Sequence, residues 1–312
     1  MAVTRYNAQQ MAQNSETPTV TSIFAAQTII IQDMLMVDMG ARKTYEWELE
    51  VTLPDVDYPA IGQKAPSSTN GTAPFEVAPK KLETAIKIAQ ENVEDDPRDL
   101  ADIMLEKQIS HAKAISNQLT VDFFYGDTSA NSEKFNGIFK LCTQTDATEL
   151  QNLFYTDGAG SAGAVLKESD LQDLVDAVYG GPNALYMSKP MQREVQGLMN
   201  DQSQITYGPD EFGKKVYFFS GIPIHTVEKI GKTQVLGFNE TVGDDDDCGS
   251  IVAVNWDDTE GTAFAVKKVL TLSEILFPSP DNANYRQDMS LRGALILHRP
   301  DGAACLRGIK AS

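Results

Sequence analysis

The sequence has 312 residues, 42% hydrophobic and 22% charged, a balance that indicates a folded globular protein and excludes wholesale disorder. Its length corresponds to about two domains at roughly 150 residues each, which excludes a disulfide-stapled miniprotein. The 44 acidic and 26 basic residues give a formal net charge of −18, and such a field argues against tight wrapping of nucleic acid.

Cysteine usage and the amino terminus predict a cytoplasmic product. Cys142, Cys248 and Cys305 are far apart and form no CxxC pair, which is typical of reduced thiols. The first residues lack the apolar stretch of a signal peptide. The most apolar window, residues 23–37, is interrupted by polar side chains and is too short to span a membrane.

The first eighty residues predict an arm followed by a hairpin. Residues 1–45 have no clean helical or strand period, which suits an arm that becomes ordered against another surface. From Tyr45 the sequence YEWELEVTL alternates large apolar with acidic residues, as a half-exposed strand does. Apolar alternation resumes at Phe75, after a segment rich in proline and glycine. We therefore expect a long hairpin with little core of its own, supported by a partner surface.

A long helix is predicted from Pro97 to Leu119, after three acids that favour a helix amino terminus. Its apolar face is expected to run from Ala101 through Leu105 to Leu119. The sequences FFYGD (123–127) and FNGIF (135–139) follow and are interpreted as core aromatic residues that anchor strands or turns.

The rest of the chain predicts a mixed α+β region. The sequence DGAGSAGA (157–164) indicates a boundary between two packing units. A short helix around Leu171, with Ser169 as its cap, is followed by a buried strand (183–187) and a helix that ends at Leu198. Strands are then predicted over residues 215–219, 222–227, 234–238, 251–255, 263–269, 291–298 and 304–309.

Searches for catalytic, cofactor and metal motifs return no site. Gly231-Lys232-Thr233 matches the end of a phosphate-binding loop, but the glycine that the motif requires earlier is absent. Residues 159–163 resemble a nucleophile elbow, but Ala159 stands where that motif requires its first glycine. Asp244–Asp247 is interpreted as a solvated acidic turn, with weak cation attraction left open. The three histidines, which match no metal or catalytic signature, are His111, His225 and His298.

The order of arm, hairpin, long helix, compact mixed region and closing strands resembles the major capsid protein of tailed bacteriophages. This is the Hong Kong phage type of capsid fold, which encapsulins share. Three short sequences carry the resemblance: FFYGD followed by FNGIF, NALYMSKPMQREV (183–195) and GIPIH (221–225). The alternative readings are an encapsulin-like cargo shell and, from another class, an acidic cytoplasmic hydrolase, which the failed motifs disfavour.

The resemblance implies a fold of named parts. These are an N-terminal arm (1–45), an E-loop (46–80), a peripheral domain (81–164) with its spine helix (97–119), an axial domain (165–270) and the return strands of the peripheral domain (271–312). Some family members crosslink covalently through a lysine of the hairpin; Lys64 lies in that region, but no asparagine partner can be assigned.

The implied function is structural rather than enzymatic, without a cofactor. Hexamers and pentamers would form an icosahedral shell around packaged DNA, which they contact weakly and non-specifically, with assembly in the host cytoplasm and no membrane. A separate scaffolding protein and a portal protein are the expected partners, with a decoration protein as an optional one. About 45 residues before the hairpin are too few for a fused scaffold, so the alternative to a separate scaffold is an earlier processing event. The basic segment from Arg286 onward is expected to pair with acidic neighbours, through Arg292 and Arg299, rather than with DNA.

Overall fold

The computed structural model describes residues 5–6, 18–58, 69, 71–143, 152–158, 160–198, 205–209, 215–278 and 283–311. The helices are α1 (Pro18–Ala26), α2 (Ile29–Asp33), α3 (Gln90–Glu94), α4 (Leu100–Tyr125), α5 (Ile138–Thr143), α6 (Glu168–Asp176) and α7 (Lys189–Leu198). The strands are β1 (Arg5–Tyr6), β2 (Met36–Asp38), β3 (Tyr45–Thr52), β4 (Gly71–Val77), β5 (Lys80–Ala89), β6 (Leu153–Tyr155), β7 (Ala164–Val165), β8 (Ala184–Ser188), β9 (Ile205–Pro209), β10 (Lys215–Phe219), β11 (Ile222–Val227), β12 (Lys229–Ile230), β13 (Thr233–Gln234), β14 (Glu240–Val242), β15 (Asp245–Val254), β16 (Thr262–Leu272), β17 (Asn284–Leu297) and β18 (Ala303–Lys310).

Within the described residues, the strands form two large sheets and two hairpins. The five-stranded sheet has the order β1-β2-β16-β17-β5. The nine-stranded sheet runs β6-β18-β15-β8-β11-β10-β9, with β14 and β7 attached to β15 and β18. Strands β3 and β4 pair only with each other, as do β12 and β13. The α+β class predicted from the sequence is confirmed.

The long helix α4 covers one face of the five-stranded sheet. Ile86 and Met289 point from this face into the largest core cluster, where Met104, Leu119 and Phe123 of the helix meet them. Ile86 and Ile88 of β5 and residues 287, 289 and 291 of β17 are buried on this side, and the residues between them lie on the opposite face.

The nine-stranded sheet has a second core, formed against α6 and α7. Leu171, Leu174, Met191 and Val195 of these helices pack on apolar residues of the central strands. Strand β8 is buried along its whole length because α7 covers one face and the first core covers the other. The predicted strand at 183–187 and the helix that ends at Leu198 are confirmed within one residue.

The segment before the hairpin is packed far more tightly than expected. Phe24, Ile30, Ile31 and Met34 are buried in the main core of the same chain, and β2 pairs in parallel with β16. The prediction of an arm ordered by another surface is therefore wrong for residues 18–38. The apolar residues of this segment show no single period in the sequence because they are divided among two short helices and a short strand.

The long helix begins three residues later and ends six residues later than predicted. The Asp96 carboxylate accepts hydrogen bonds from the Arg98 backbone and guanidinium groups, which holds residues 96–98 in a bend before the helix. Phe123 and Phe124 form the last buried helical turn rather than a strand, and FNGIF leads into α5. Ala101 and Leu105 are exposed because successive steps of four residues drift around a helix of 3.6 residues per turn.

The glycines of these two aromatic sequences allow two backbone segments to touch. The Gly137 amide donates to the Gly126 carbonyl oxygen at 2.8 Å. A Cβ atom on Gly126 would lie 2.4 Å from the Phe135 oxygen, and one on Gly137 would lie 2.6 Å from the Asp122 oxygen. Both positions therefore require glycine because of close approach.

Three smaller predictions are corrected. Ser169 lies inside α6, whose first turn is capped by the Asp170 carboxylate accepting from the Lys167 amide. Only Gln234 of the predicted strand 234–238 lies in a strand, Thr233–Gln234, since Leu236 adopts φ 55° in a turn. No strand is predicted over 80–89, where the charged residues of β5 mask its half-buried alternation.

Candidate assembly surfaces

The hairpin of β3 and β4 carries an apolar face and an acidic face, as its alternation predicts. The strands pair antiparallel with Trp47 opposite Phe75, and these two rings stack with centroids 5.6 Å apart. On the other face Glu46, Glu48, Glu50 and Glu76 are exposed, and Glu46 lies directly opposite Glu76. We call these four residues the acidic row. Like charges at cross-strand positions destabilise an isolated hairpin.

Beyond β3 the hairpin exposes large apolar side chains to solvent. Leu53, Val56 and Tyr58 are 78%, 91% and 99% exposed. Three such residues within six positions form a patch of the kind that marks an interaction surface. Lys64, the residue considered for a covalent crosslink, lies outside the described residues.

The base of the hairpin is anchored on His298. The Trp47 indole N–H donates to the His298 carbonyl oxygen at 3.1 Å, and the Tyr45 hydroxyl lies 3.3 Å from His298 Nε2. The His298 Nδ1 atom lies 3.3 Å from the Gly261 oxygen. Tyr45 and Trp47 also pack on Ala265 and Ile296 of the five-stranded sheet, so the acidic row faces away from that sheet. A cavity of about 310 Å³ lies between the hairpin and the body of the chain.

We expect acidification to loosen this anchor. Burial lowers the pKa of His298, against weaker opposing effects of the Gly261 hydrogen bond and of Asp258 and Asp257. The unfolded chain therefore takes up the proton first, so the stabilisation is complete above about pH 6.5 and falls as the pH drops below that value. The protection factors of the β3 and β4 amides, which account for the slower intrinsic exchange at low pH, should fall as the pH drops from about 7.5 to 5.5.

The control for this experiment is His298→Gln, which should remove most of the pH dependence of the hairpin's protection factors. His111 also has a pKa lowered by burial, but it contacts Thr84 on the opposite face of the sheet. His111→Gln should therefore leave the hairpin's response unchanged. An equal pH response in the His298→Gln variant and the wild-type chain would show that His298 does not control the stability of the hairpin.

The face of the five-stranded sheet opposite the long helix carries a row of cations. Register places Arg292 of β17 beside Lys81 of β5 on one side and beside Lys268 of β16 on the other. All three side chains are exposed. We call these three residues the basic row. Lys81 pairs with Glu83 at 2.5 Å, whereas no described residue pairs with Arg292 or Lys268.

The other cations of the carboxy-terminal segment are paired within the chain. Arg299 contacts Asp301 at 2.9 Å and stacks on the Tyr179 ring, so it is already occupied. The remaining ion pairs are Arg286–Asp288, Arg307–Glu240 and Lys310–Asp245. Of the two arginines expected to meet acidic neighbours, the structure therefore leaves Arg292 available and Arg299 engaged.

The segment before the hairpin is tied to the nine-stranded sheet by a polar network. Tyr186, buried in β8, donates its hydroxyl to Asp33 Oδ2 at 2.8 Å and accepts the Trp256 indole N–H at 2.8 Å. His225 Nδ1 lies 3.3 Å from the same Asp33 oxygen. Burial raises the pKa of Tyr186 well above its ordinary value, which keeps the hydroxyl a donor.

The residues considered as catalytic, phosphate-binding or cation-binding motifs lie in turns and in contacts within the chain. Ser161, in the elbow-like sequence, donates its hydroxyl to Asp157, and Gly231-Lys232 form the turn between β12 and β13. The turn predicted at Asp244–Asp247 is formed by Gly243 and Asp244, while Asp245 begins β15. Lys310 lowers the pKa of Asp245, which also accepts the Gly163 amide.

The described residues form neither a metal-binding cluster nor a membrane-spanning helix. No group of three His, Cys, Asp or Glu side chains in these parts of the chain is placed to hold a metal ion. None of the helices formed by the described residues is both long enough and apolar enough to cross a membrane.

Comparison with solved structures places the fold among shell proteins. The chain superposes on the SrpI encapsulin of Synechococcus elongatus PCC 7942 with a TM-score of 0.62 and 12% identity, covering 90% of this chain and 87% of that one. A GTA particle capsid gives a TM-score of 0.63 at 14% identity, covering 90% of both chains. The Microbacterium phage Oxtober96 structure gives 0.61 at 10% identity, covering 89% and 90%. The chain therefore has the capsid fold that phages and encapsulins share.

A comparison of sequences identifies the family within this class. The family model described as Major capsid protein GP7 matches residues 12–166, about half of the chain. Comparison with curated proteins gives no match. The chain belongs to the major capsid proteins of tailed bacteriophages, as the order of its elements indicates. Its role is accordingly that of a structural, shell-forming protein of the virion rather than that of an enzyme.

Proposed function

We propose that this chain assembles as hexamers and pentamers into a closed icosahedral shell around packaged double-stranded DNA. The observation that carries the proposal is the presence of two exposed rows of opposite charge on one chain. The acidic row lies on the hairpin, and the basic row lies on the five-stranded sheet. Each row places like charges side by side, so each is stabilised by a partner of the opposite sign.

The two rows complement each other between copies rather than within one copy. The apolar face of the hairpin packs on its own sheet, so its acidic row points outward. A neighbouring copy can then bring its acidic row onto the basic row of this one. Because each copy both offers and receives such a contact, the contact is of the head-to-tail kind that closes into rings when the rotation allows it.

The parts of the chain keep their proposed roles in this shell. Residues 1–45 take the place of the arm, although 18–38 pack in the core of their own chain. Residues 46–80 serve as the E-loop, 81–164 and 271–312 as the peripheral domain, and 165–270 as the axial domain. The helix Leu100–Tyr125 takes the place of the spine helix. Arm, hairpin and spine helix rearrange when DNA fills the shell.

The net charge of −18 suits a container for DNA. A lining of the same sign as the phosphate backbone lets DNA enter without adhering, so contacts stay weak and non-specific. Assembly takes place in the host cytoplasm with a separate scaffolding protein, a portal protein and a decoration protein.

Electron microscopy of the purified chain, produced with and without its scaffolding protein, tests the proposal. We expect closed shells with hexameric and pentameric units when the scaffold is present, and nuclease-protected DNA in particles recovered from infected cells. Shells that form without a scaffold and contain protein would support the encapsulin-like alternative. Monomers or small discrete oligomers under both conditions would overturn the proposal.

A further inference from the structure

Two of the three cysteines are in contact although they are far apart in sequence. The sulfur atoms of Cys142, in α5, and Cys305, in β18, lie 3.5 Å apart. Both side chains are buried within the main core. The third cysteine, Cys248, has its sulfur 4.0 Å from the Asp245 carbonyl oxygen and is likewise buried.

The geometry requires little movement to join the pair. A disulfide bond is about 2.05 Å long, so the two sulfurs would approach each other by about 1.5 Å. The helix and the strand that carry them already pack together, and the Cys142 thiol also lies 3.7 Å from the Ala303 oxygen beside Cys305. Rotation of the two side chains toward each other is the movement that would bring the sulfurs to bonding distance.

The surroundings keep both thiols reduced inside a cell. Burial raises the pKa of Cys305 well above its ordinary value, so the reactive thiolate is scarce. A cytoplasm also holds thiols in the reduced state. Only a small oxidant that can reach the core during local opening would act on this pair.

We propose that Cys142 and Cys305 form a latent disulfide, which a peroxide closes after the protein leaves the reducing cytoplasm. One thiolate attacks hydrogen peroxide, forming a sulfenic acid and releasing hydroxide, which takes up the displaced proton as water. The second thiol then displaces the sulfenic hydroxyl as a second water and forms the S–S bond. Two thiols and one peroxide thus give one disulfide and two waters.

The bond would join the helix that follows the spine helix to β18, an inner strand of the nine-stranded sheet. It closes a long loop, which restricts the unfolded chain and raises the temperature of unfolding. The timing after release rests on the proposed function, whereas the bond itself needs no neighbouring copy and no shell.

The test uses the full chain, purified under reducing conditions and then exposed to hydrogen peroxide. Titration of thiols in denaturant should fall from three to one, and the intact mass should drop by about 2 Da. A non-reducing peptide map should link the Cys142 and Cys305 peptides. The thermal midpoint should rise by about 5–10 °C and return after reduction.

Two variants serve as matched controls. Cys248→Ala should lose both remaining thiols and form the same link, whereas Cys305→Ala should retain its two thiols without forming an intramolecular bond. The proposal is overturned if peroxide yields sulfinic acids or intermolecular dimers through Cys248 instead. It is also overturned if all three thiols survive an exposure that fully oxidises the unfolded chain. None of these measurements depends on shell assembly, so a result that refutes the proposed function would leave the test of the disulfide unaffected.

Discussion

Replacing Arg292 and Lys268 together with glutamate is expected to abolish shell formation while leaving the chain folded. Both side chains are exposed and unpaired among the described residues, so their reversal should cost the isolated chain little. At the contact between copies the same change sets acid against acid. A loss of about 1.4 kcal/mol per contact weakens it about tenfold, and a shell repeats the contact in every copy. Sedimentation and electron microscopy measure the assembled fraction.

The matched control is Lys107→Glu together with Lys113→Glu, which makes the same change of charge at two exposed positions of the long helix. Shells should persist in this variant. A chain that carries Glu46→Lys and Glu48→Lys in addition to the two glutamates of the basic-row variant should regain assembly, because the reversed rows then match at every contact of a hexamer or a pentamer. Normal shells from the basic-row variant, with reduced retention of DNA, would instead assign the basic row to nucleic acid.

Gly137→Ala is expected to lower the free energy of unfolding by about 3 kcal/mol or more, since a methyl group at this position collides with backbone rather than with a flexible side chain. Its Cβ atom would lie 2.6 Å from both the Asp122 oxygen and the Gly126 nitrogen. Relief would require separating the end of the long helix from the segment that leads into α5. Urea unfolding followed by circular dichroism measures the change, and assembly should fall with the supply of folded chain.

Gly197→Ala tests whether the effect at Gly137 belongs to that site. No atom lies within 4 Å of a Cβ placed on Gly197, which lies inside α7. Alanine is the better helix former, so this variant should be neutral or gain about 0.5–1 kcal/mol. If both variants unfolded at the same urea concentration, the close approach of backbone at Gly137 would not matter for stability.

Much of the architecture could be read from local patterns. The alternation from Tyr45 predicts a two-faced strand, and the structure confirms both its pairing with the strand before Val77 and the exposure of its glutamates. Strands at 215–219 and 222–227 have the predicted bounds because the Ser220-Gly221 turn separates two clear extended runs. In such segments the local preference and the final fold agree.

The sequence does not predict the elements that are stabilised by contacts with residues far away along the chain. Helix α2 has five residues, too few to be stable alone, and is fixed by burial of Ile30 and Ile31 in the main core. Strand β5 owes its extended form to a long ladder with β17. The sequence offers no local sign of either partnership, because the partners lie far away along the chain.

Of the two candidate surfaces, the acidic row can be predicted from the sequence and the basic row cannot. The acidic row follows from one strand's period of two and was visible in the sequence. The basic row is built from three strands, so it appears only when register places Lys81, Arg292 and Lys268 side by side. The sequence predicts that the carboxy-terminal cations pair with acidic neighbours as a group. In the structure, Arg292 is exposed without an ion pair among the described residues, whereas the other cations of this segment form ion pairs within the chain.

The long separation of these three strands also sets the moment at which a newly made chain becomes able to join others. Lys81 and Arg292 are roughly 200 residues apart, and contacts of such sequence separation are costly to close early in folding. During synthesis the hairpin with its acidic row emerges first, while the surface that would receive another copy's hairpin waits for β16 and β17. If the proposed contact between the rows holds, an incomplete chain on the ribosome carries the acidic row but not the basic row, so nascent chains cannot join one another before they are released.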